Sequence, residues 1–259
     1  MVKRFFSQAW LYQKARTAAF DWREFLFFDT GYPVITLIFY CLLAAYSFQT
    51  TDLTNWVIGN SFLMCVNTCI FGLGNVFPSE RYSGRLRSMI ASPCNMISVV
   101  LSCGFLPSIL AMCSVLLGFS VGAVVFDIDF TGVNLGLAIL TIFCAMISAS
   151  CFGLLLSVFG LLNDGMHLLL NMMNYVLMIF TGAEFPISQL PVAGRVLSRA
   201  LPLTRSIEAM NLLFGDDLRR FGILLIEELA MAIIYALVSV FILEYVERAC
   251  KKAGKFDLF

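Results

Sequence analysis

The sequence predicts an all-α membrane protein with six transmembrane helices. An amphipathic N-terminal helix lies on the interface, a short charged helix on the cytoplasmic side, and re-entrant helices on the outer side between spans five and six. Three observations carry this reading. First, 60% of the 259 residues are hydrophobic and 13% charged, whereas a soluble domain carries roughly 25% charged residues. Second, the apolar residues form six continuous runs with no period-two alternation, which makes them helices and not the strands of a barrel. Third, Lys and Arg are spread unevenly between the runs. At about 20 residues per crossing, six spans leave no room within the chain for a sizeable water-soluble domain.

Residues 1–28 are interrupted by charges every few positions. No small-residue cleavage site follows a short apolar core there, so no cleavable signal peptide is expected. At about 100° per residue, Leu11, Ala15, Ala18, Trp22 and Phe25 share one stripe, with Gln13, Arg16, Thr17, Arg23 and Glu24 opposite. Such a helix lies along the interface, either as a membrane-surface anchor or as a docking helix for a cytoplasmic partner. The spans follow at 30–48, 56–77, 96–126, 133–162, 166–181 and 221–243. Each is long enough, or nearly so, for an apolar core of about 30 Å, and the third and fourth require tilt or a projecting end. Pro107 predicts a kink in the third span. Gly118 and Gly122, and Gly132 and Gly136, repeat at the spacing that lets helix backbones approach closely.

Orientation follows from the cations. Lys3, Arg4, Lys14, Arg16 and Arg23 precede the first span, Arg81, Arg85 and Arg87 follow the second, and Arg248, Lys251, Lys252 and Lys255 follow the sixth. An even number of spans puts these on one side, which the positive-inside rule makes cytoplasmic, with both termini. The expected site is the inner, or cytoplasmic, membrane of the cell. Arg195, Arg199, Arg205, Arg219 and Arg220 fall on the predicted outside, diluted by Glu184, Glu208, Asp216 and Asp217. The net charge of zero averages over this layout and gives no reason to expect a nucleic-acid partner.

Catalytic chemistry is not expected. His167 is the one histidine, no Ser sits in a G-x-S-x-G elbow, and no G-x-x-x-x-G-K-[ST] run is present to bind ATP. Seven of the nine cysteines lie within predicted spans and none on an outer loop, so structural disulfides are not expected. Cys65 and Cys69 share a helical face, but no metal site is expected without further ligands. Glu227 and Glu228 sit about two turns into the sixth span, and Asp164 lies between spans four and five. The two glutamates read either as pathway residues or as interfacial groups near the outer surface.

Two segments carry more. Residues 77–93 predict a short helix opened by Pro78 and Ser79 and stopped before Pro93. It turns Glu80, Arg81, Arg85 and Arg87 to solvent and Leu86, Met89 and Ile90 to the membrane. A rigid charged helix between two spans is a handle that a soluble partner can push. The second segment runs from Thr181 to Thr204 and is broken by Gly182, Pro186, Pro191 and Pro202, which fits short helices dipping into the outer leaflet.

The run Glu80-Arg81-x-x-Gly84-x-Leu86, closing at Ser92-Pro93, resembles the coupling segment of ABC transporter permeases of the type-2 export class. Thr181-Gly182-Ala183-Glu184-Phe185-Pro186, then Leu190-Pro191 and Leu201-Pro202-Leu203-Thr204, is similar to the signature that follows the fifth span in that family. Arg85 stands where the family usually has Thr, and Arg87 where it has an acidic residue. The resemblance covers nearly the whole chain. It implies a transport subunit without enzymatic activity, pairing with a second permease subunit as a homodimer or a heterodimer with a paralogue. Two separate ABC ATPase subunits would bind ATP and Mg, and this chain would hold no cofactor.

Glu80, Arg81, Gly84, Arg85, Leu86 and Pro93 would form the coupling helix, with Arg16 and Arg23 at the same partner interface. Gly182, Glu184, Phe185, Pro186, Leu190, Pro191 and Pro202 would form the outer gate. The uncharged spans suit export of a hydrophobic or amphipathic cargo such as a drug, an antibiotic or a peptide. A lipid-linked polysaccharide is the alternative cargo, and an intramembrane enzyme a remote alternative activity.

Overall fold

Backbone surrounded by hydrocarbon must satisfy its own N–H and C=O groups, and the apolar runs fold accordingly as helices. The computed structural model describes residues 6–7, 9–11, 14, 31–84, 96–130, 132–162, 165–214 and 218–253. Every regular element among the described residues is helical. The order is α1 (Tyr32–Phe48), α2 (Thr54–Cys65), α3 (Val76–Tyr82), α4 (Met96–Val125), α5 (Leu135–Leu162), α6 (Met166–Phe180), α7 (Val192–Ala200), α8 (Thr204–Leu213) and α9 (Phe221–Ala253). A π-helical segment at Val66–Phe71 and a last turn at Gly72–Gly74 extend α2. Of the predicted interfacial helix, only six residues are described, all helical, with Ala9 buried and Trp10 and Leu11 exposed.

Among the described residues, four helical stretches are long and apolar enough to cross a membrane: Thr54–Gly74, Leu106–Val125, Leu135–Gly160 and Phe221–Tyr245. The apolar helices α1 and α6 have 17 and 15 residues, about 26 and 22 Å at 1.5 Å per residue. The predicted second span ends early, at Gly74, because the chain turns at Asn75 before α3 begins.

Local chemistry sets the other ends. The Asp52 carboxylate accepts the Thr54 N–H at 3.1 Å and its hydroxyl at 2.7 Å, opening α2. These bonds hold the Asp52 carboxyl below the usual carboxylate range. Asn134 Oδ1 accepts the Gly136 N–H at 3.1 Å, a side-chain cap that starts α5 at Leu135 and not at Val133. The last helix, α9, outruns its predicted end and carries an i,i+4 ion pair between Glu244 and Arg248 at 2.9 Å.

Helix α5 is the hub: it packs against α9, α4, α6, α8, α3 and the far end of the second span. Burial separates the roles, since Thr54–Gly74 is 82% buried while Leu106–Val125 is only 22% buried. The most buried stretch is also the least apolar of the four, because a helix facing other helices has no need to match lipid tails. It accommodates the buried Asn60, Ser61 and Thr68. Gly118 and Gly122 bring α4 onto it as predicted: a Cβ at Gly118 would lie 2.7 Å from Ser61 Oγ, and one at Gly122 2.3 Å from Val57 Cγ1.

The second glycine pair does not pack as expected. A Cβ at Gly132 would meet nothing within 4 Å, and one at Gly136 would meet only the capping Asn134. Gly132 precedes the helix and Gly136 lies in its exposed first turn, so neither faces a neighbouring backbone. Midway along the bundle, Ser108 and Ser150 pair at 2.7 Å, and Ser150 Oγ donates to Cys69 Sγ at 3.7 Å. This joins α4, α5 and the π-helical segment, and α4 stays one helix through Pro107.

Candidate functional site

The charged handle starts as the root of a helix. Val76, Phe77 and Pro78 are buried, and Pro78 falls among the first helical positions, where a missing N–H costs little. Gly160 admits the proline, since a Cβ there would lie 2.9 Å from Pro78 Cγ and 3.4 Å from Met166 Cγ. A Cβ on Gly74 would lie 2.7 Å from Leu170 Cδ2. The root is thus seated in the corner between the end of α5 and the start of α6. Glu80 and Arg81 follow, half-buried and both engaged by neighbouring groups, so neither stands free on a solvent face.

The predicted single helix to Pro93 is interrupted. Ser83 N–H donates to the Ser79 carbonyl at 3.0 Å, Gly84 N–H to the Arg81 carbonyl at 2.9 Å, and Gly84 has φ +68°. A glycine in this left-handed conformation ends a helix without steric cost, so α3 stops at Tyr82. Arg85, Leu86, Arg87 and Pro93 lie outside the described residues, as do Arg16 and Arg23.

The Thr181–Thr204 segment, the predicted outer segment, is a chain of short pieces. Thr181 is fully buried, and its hydroxyl donates to the Leu177 carbonyl at 2.6 Å. Gly182 then turns the chain with φ +87°. Ala183 lies so close to α2 that a Cβ on Gly59 would be 2.4 Å from its Cα. Trp56 Nε1–H donates to the Glu184 carbonyl at 3.1 Å. The Glu184 side chain is buried, which raises its carboxyl above the usual range, opposed by the Asn60 amide. Phe185, Pro186 and Pro191 are exposed and Leu190 half-buried, whereas Pro202 is buried beside Leu203.

The other end of this segment is fastened to α9. Leu203 has φ +70°, unusual for a branched residue, and its N–H donates to Glu228 Oε1 at 2.8 Å. Glu228 is 0% exposed. It therefore caps the N-terminus of α8 by accepting a backbone N–H that has no partner within the helix. Arg205 Nε donates to Glu227 Oε2 at 3.0 Å, with side chains 12% and 53% exposed. Adjacent glutamates thus grip one short stretch, Leu203 to Arg205, from two sides. Tyr235 Oη donates to the Ala200 carbonyl, and Thr204 Oγ1 to the Ser198 carbonyl at 2.8 Å.

The structure brings Ala183 and Glu184, next to Gly182, against Gly59 and Trp56 of the second span, and Leu203 and Ala200, on either side of Pro202, against Glu228 and Tyr235 of the last. Sequence reasoning missed Trp56, Gly59, Arg205 and Tyr235. Only an acidic pair and an isolated arginine hinted at any of these contacts. Among comparisons with known proteins, the family model described as ABC-2 type transporter matches residues 19–214, a stretch that takes in the handle and the outer segment through α8. No curated protein matches the chain.

Proposed function

The chain belongs to the ABC-2 type transporter family and is a permease of multi-pass membrane type, and from that premise we propose that it is the membrane subunit of an ATP-driven exporter. Two permease copies, identical or paralogous, sit on two separate ATPase subunits that bind ATP and Mg. The two shorter helices α1 and α6 complete six spans, with both termini in the cytoplasm and the chain in the cytoplasmic membrane. Export of a hydrophobic or amphipathic cargo, a drug, an antibiotic or a peptide, fits spans that carry few charged residues, Glu227 and Glu228 near the start of the sixth among them.

The observation that carries this reading is the second span, which bears the handle at one end and the outer contacts at the other. Closure of the ATPases pushes Glu80 and Arg81. The buried root Val76 to Pro78 passes the displacement to α5 and α6 through Gly160, Met166 and Leu170. The same span holds the outer segment at Gly59 and Trp56, so its movement displaces residues 182–204 and opens an exit. Rigid helices transmit such displacements because packed contacts are bistable and not continuously deformable.

The test is transport by the reconstituted complex carrying Glu80→Ala with Arg81→Ala. Loss of export, with insertion and assembly intact, is the expected result. Undiminished export coupled to ATP hydrolysis would refute the coupling role.

A further inference from the structure

Helix α7 has a surface that neither the spans nor the outer contacts use. At nine residues it is about 14 Å long, too short to cross a bilayer. At about 100° per residue its side chains divide into three arcs. Gly194 and Ser198 form the buried arc, where a Cβ on Gly194 would lie 3.2 Å from Phe180 Cε1 and 3.3 Å from Leu190 Cβ. Val192, Ala193, Val196, Leu197 and Ala200 form a wide apolar arc turned outward, with Val192 74% and Val196 67% exposed. Arg195 and Arg199 form a third, exposed arc beside the valines. Among the described residues, Arg195 spends only its Nε–H, donating to the Leu190 carbonyl at 2.9 Å.

An apolar arc flanked by two arginines is complementary to one surface, the boundary where acyl chains meet phosphate. The position supports this occupant, because α7 packs on the end of α6, where a spanning helix leaves the hydrocarbon. We propose that α7 lies along the outer bilayer surface with its valines among the acyl chains, and that Arg195 and Arg199 bind the phosphates of anionic lipid headgroups. This rests on the six-span reading. It also accounts for three of the five arginines that oppose the positive-inside rule: Arg205 is paired with Glu227, and Arg195 and Arg199 serve as headgroup ligands. The helix thereby fixes the depth of the outer segment relative to the leaflet.

The test uses the full chain in vesicles of phosphatidylcholine mixed with phosphatidylglycerol. A nitroxide on a ketone side chain, incorporated at Val196 or at the exposed mid-span residue Phe39, avoids the native cysteines. Collisions with oxygen should exceed those with a nickel chelate at both sites. A reversal at Val196 alone would overturn the placement of α7 and leave the spanning reading standing, whereas a reversal at both would overturn the two together. In native mass spectrometry, Arg195→Gln with Arg199→Gln should lower retained phosphatidylglycerol roughly five-fold per arginine. The exposed control Arg220→Gln should not. Equal retention by the double variant and the parent chain would overturn headgroup binding.

Discussion

Gly59→Ala places one methyl group at the tightest backbone contact of the outer segment. The new carbon would stand 2.4 Å from Ala183 Cα, 2.7 Å from its carbonyl oxygen and 2.8 Å from its Cβ, whereas carbon contacts settle at about 3.5–4.0 Å. The neighbour is backbone and has no rotamer to change, so residues 182–185 must retreat by roughly 1 Å. The Trp56 to Glu184 bond is already 3.1 Å long, and such a retreat carries it beyond hydrogen-bond range. Overpacking costs about 1–3 kcal/mol and the lost bond about 1, offset by about 1 gained from replacing glycine in a helix. The net loss is about 1–3 kcal/mol, read as a fall of about 2–4 °C per kcal/mol in the thermal unfolding midpoint of the purified chain. Gly132→Ala, with nothing within 4 Å, is the matched control and should leave the midpoint unchanged. Equal midpoints for the two variants would refute the close approach of the outer segment to α2.

Glu228→Ala should destabilise the chain by about 1–3 kcal/mol because the buried Leu203 N–H loses its acceptor, and Glu228→Gln by clearly less because an amide oxygen still accepts; unfolding midpoints that rank the two the other way would remove the capping role. A double-mutant cycle on Arg205 and Glu227 should give a coupling of only about 0.5–1 kcal/mol, since Glu227 is half exposed near the start of α9. A cysteine at the exposed Gln189 should react with a membrane-impermeant maleimide added outside intact cells, and one at the buried Ser198 should resist it. Labelling of Gln189 only from the cytoplasmic side would invert the topology.

The spacing of residues in the chain carried the handle and the outer segment as far as their composition reached. Glu80-Arg81 and the Gly182, Pro186, Pro191 and Pro202 breaks were legible because turns and helix ends depend on a few neighbouring residues. The contacts that fasten the outer segment were not, because Trp56 meets Glu184 across 128 positions and Tyr235 meets Ala200 across 35. The two glycine pairs make the same point: Gly118 with Gly122 and Gly132 with Gly136 have identical spacing, yet only the first pair faces a helix. Spacing describes which residues share a face, and the partner of that face is a property of the packed bundle.

By itself the sequence determined the helical membrane class, the positions of the apolar helices and the family, because each rests on hydrophobicity, local backbone preference or motif order. Only the tertiary structure decided that α2 and its extension form the buried span and α5 the hub, and that Glu228 caps a short helix. It also showed that α3 ends at Tyr82, just before the left-handed Gly84. These depend on which surfaces meet, and in an apolar chain nearly every helix face is hydrophobic enough for either lipid or protein. Small residues and a few buried polar groups make that choice, and they do so only where a specific neighbour is within reach.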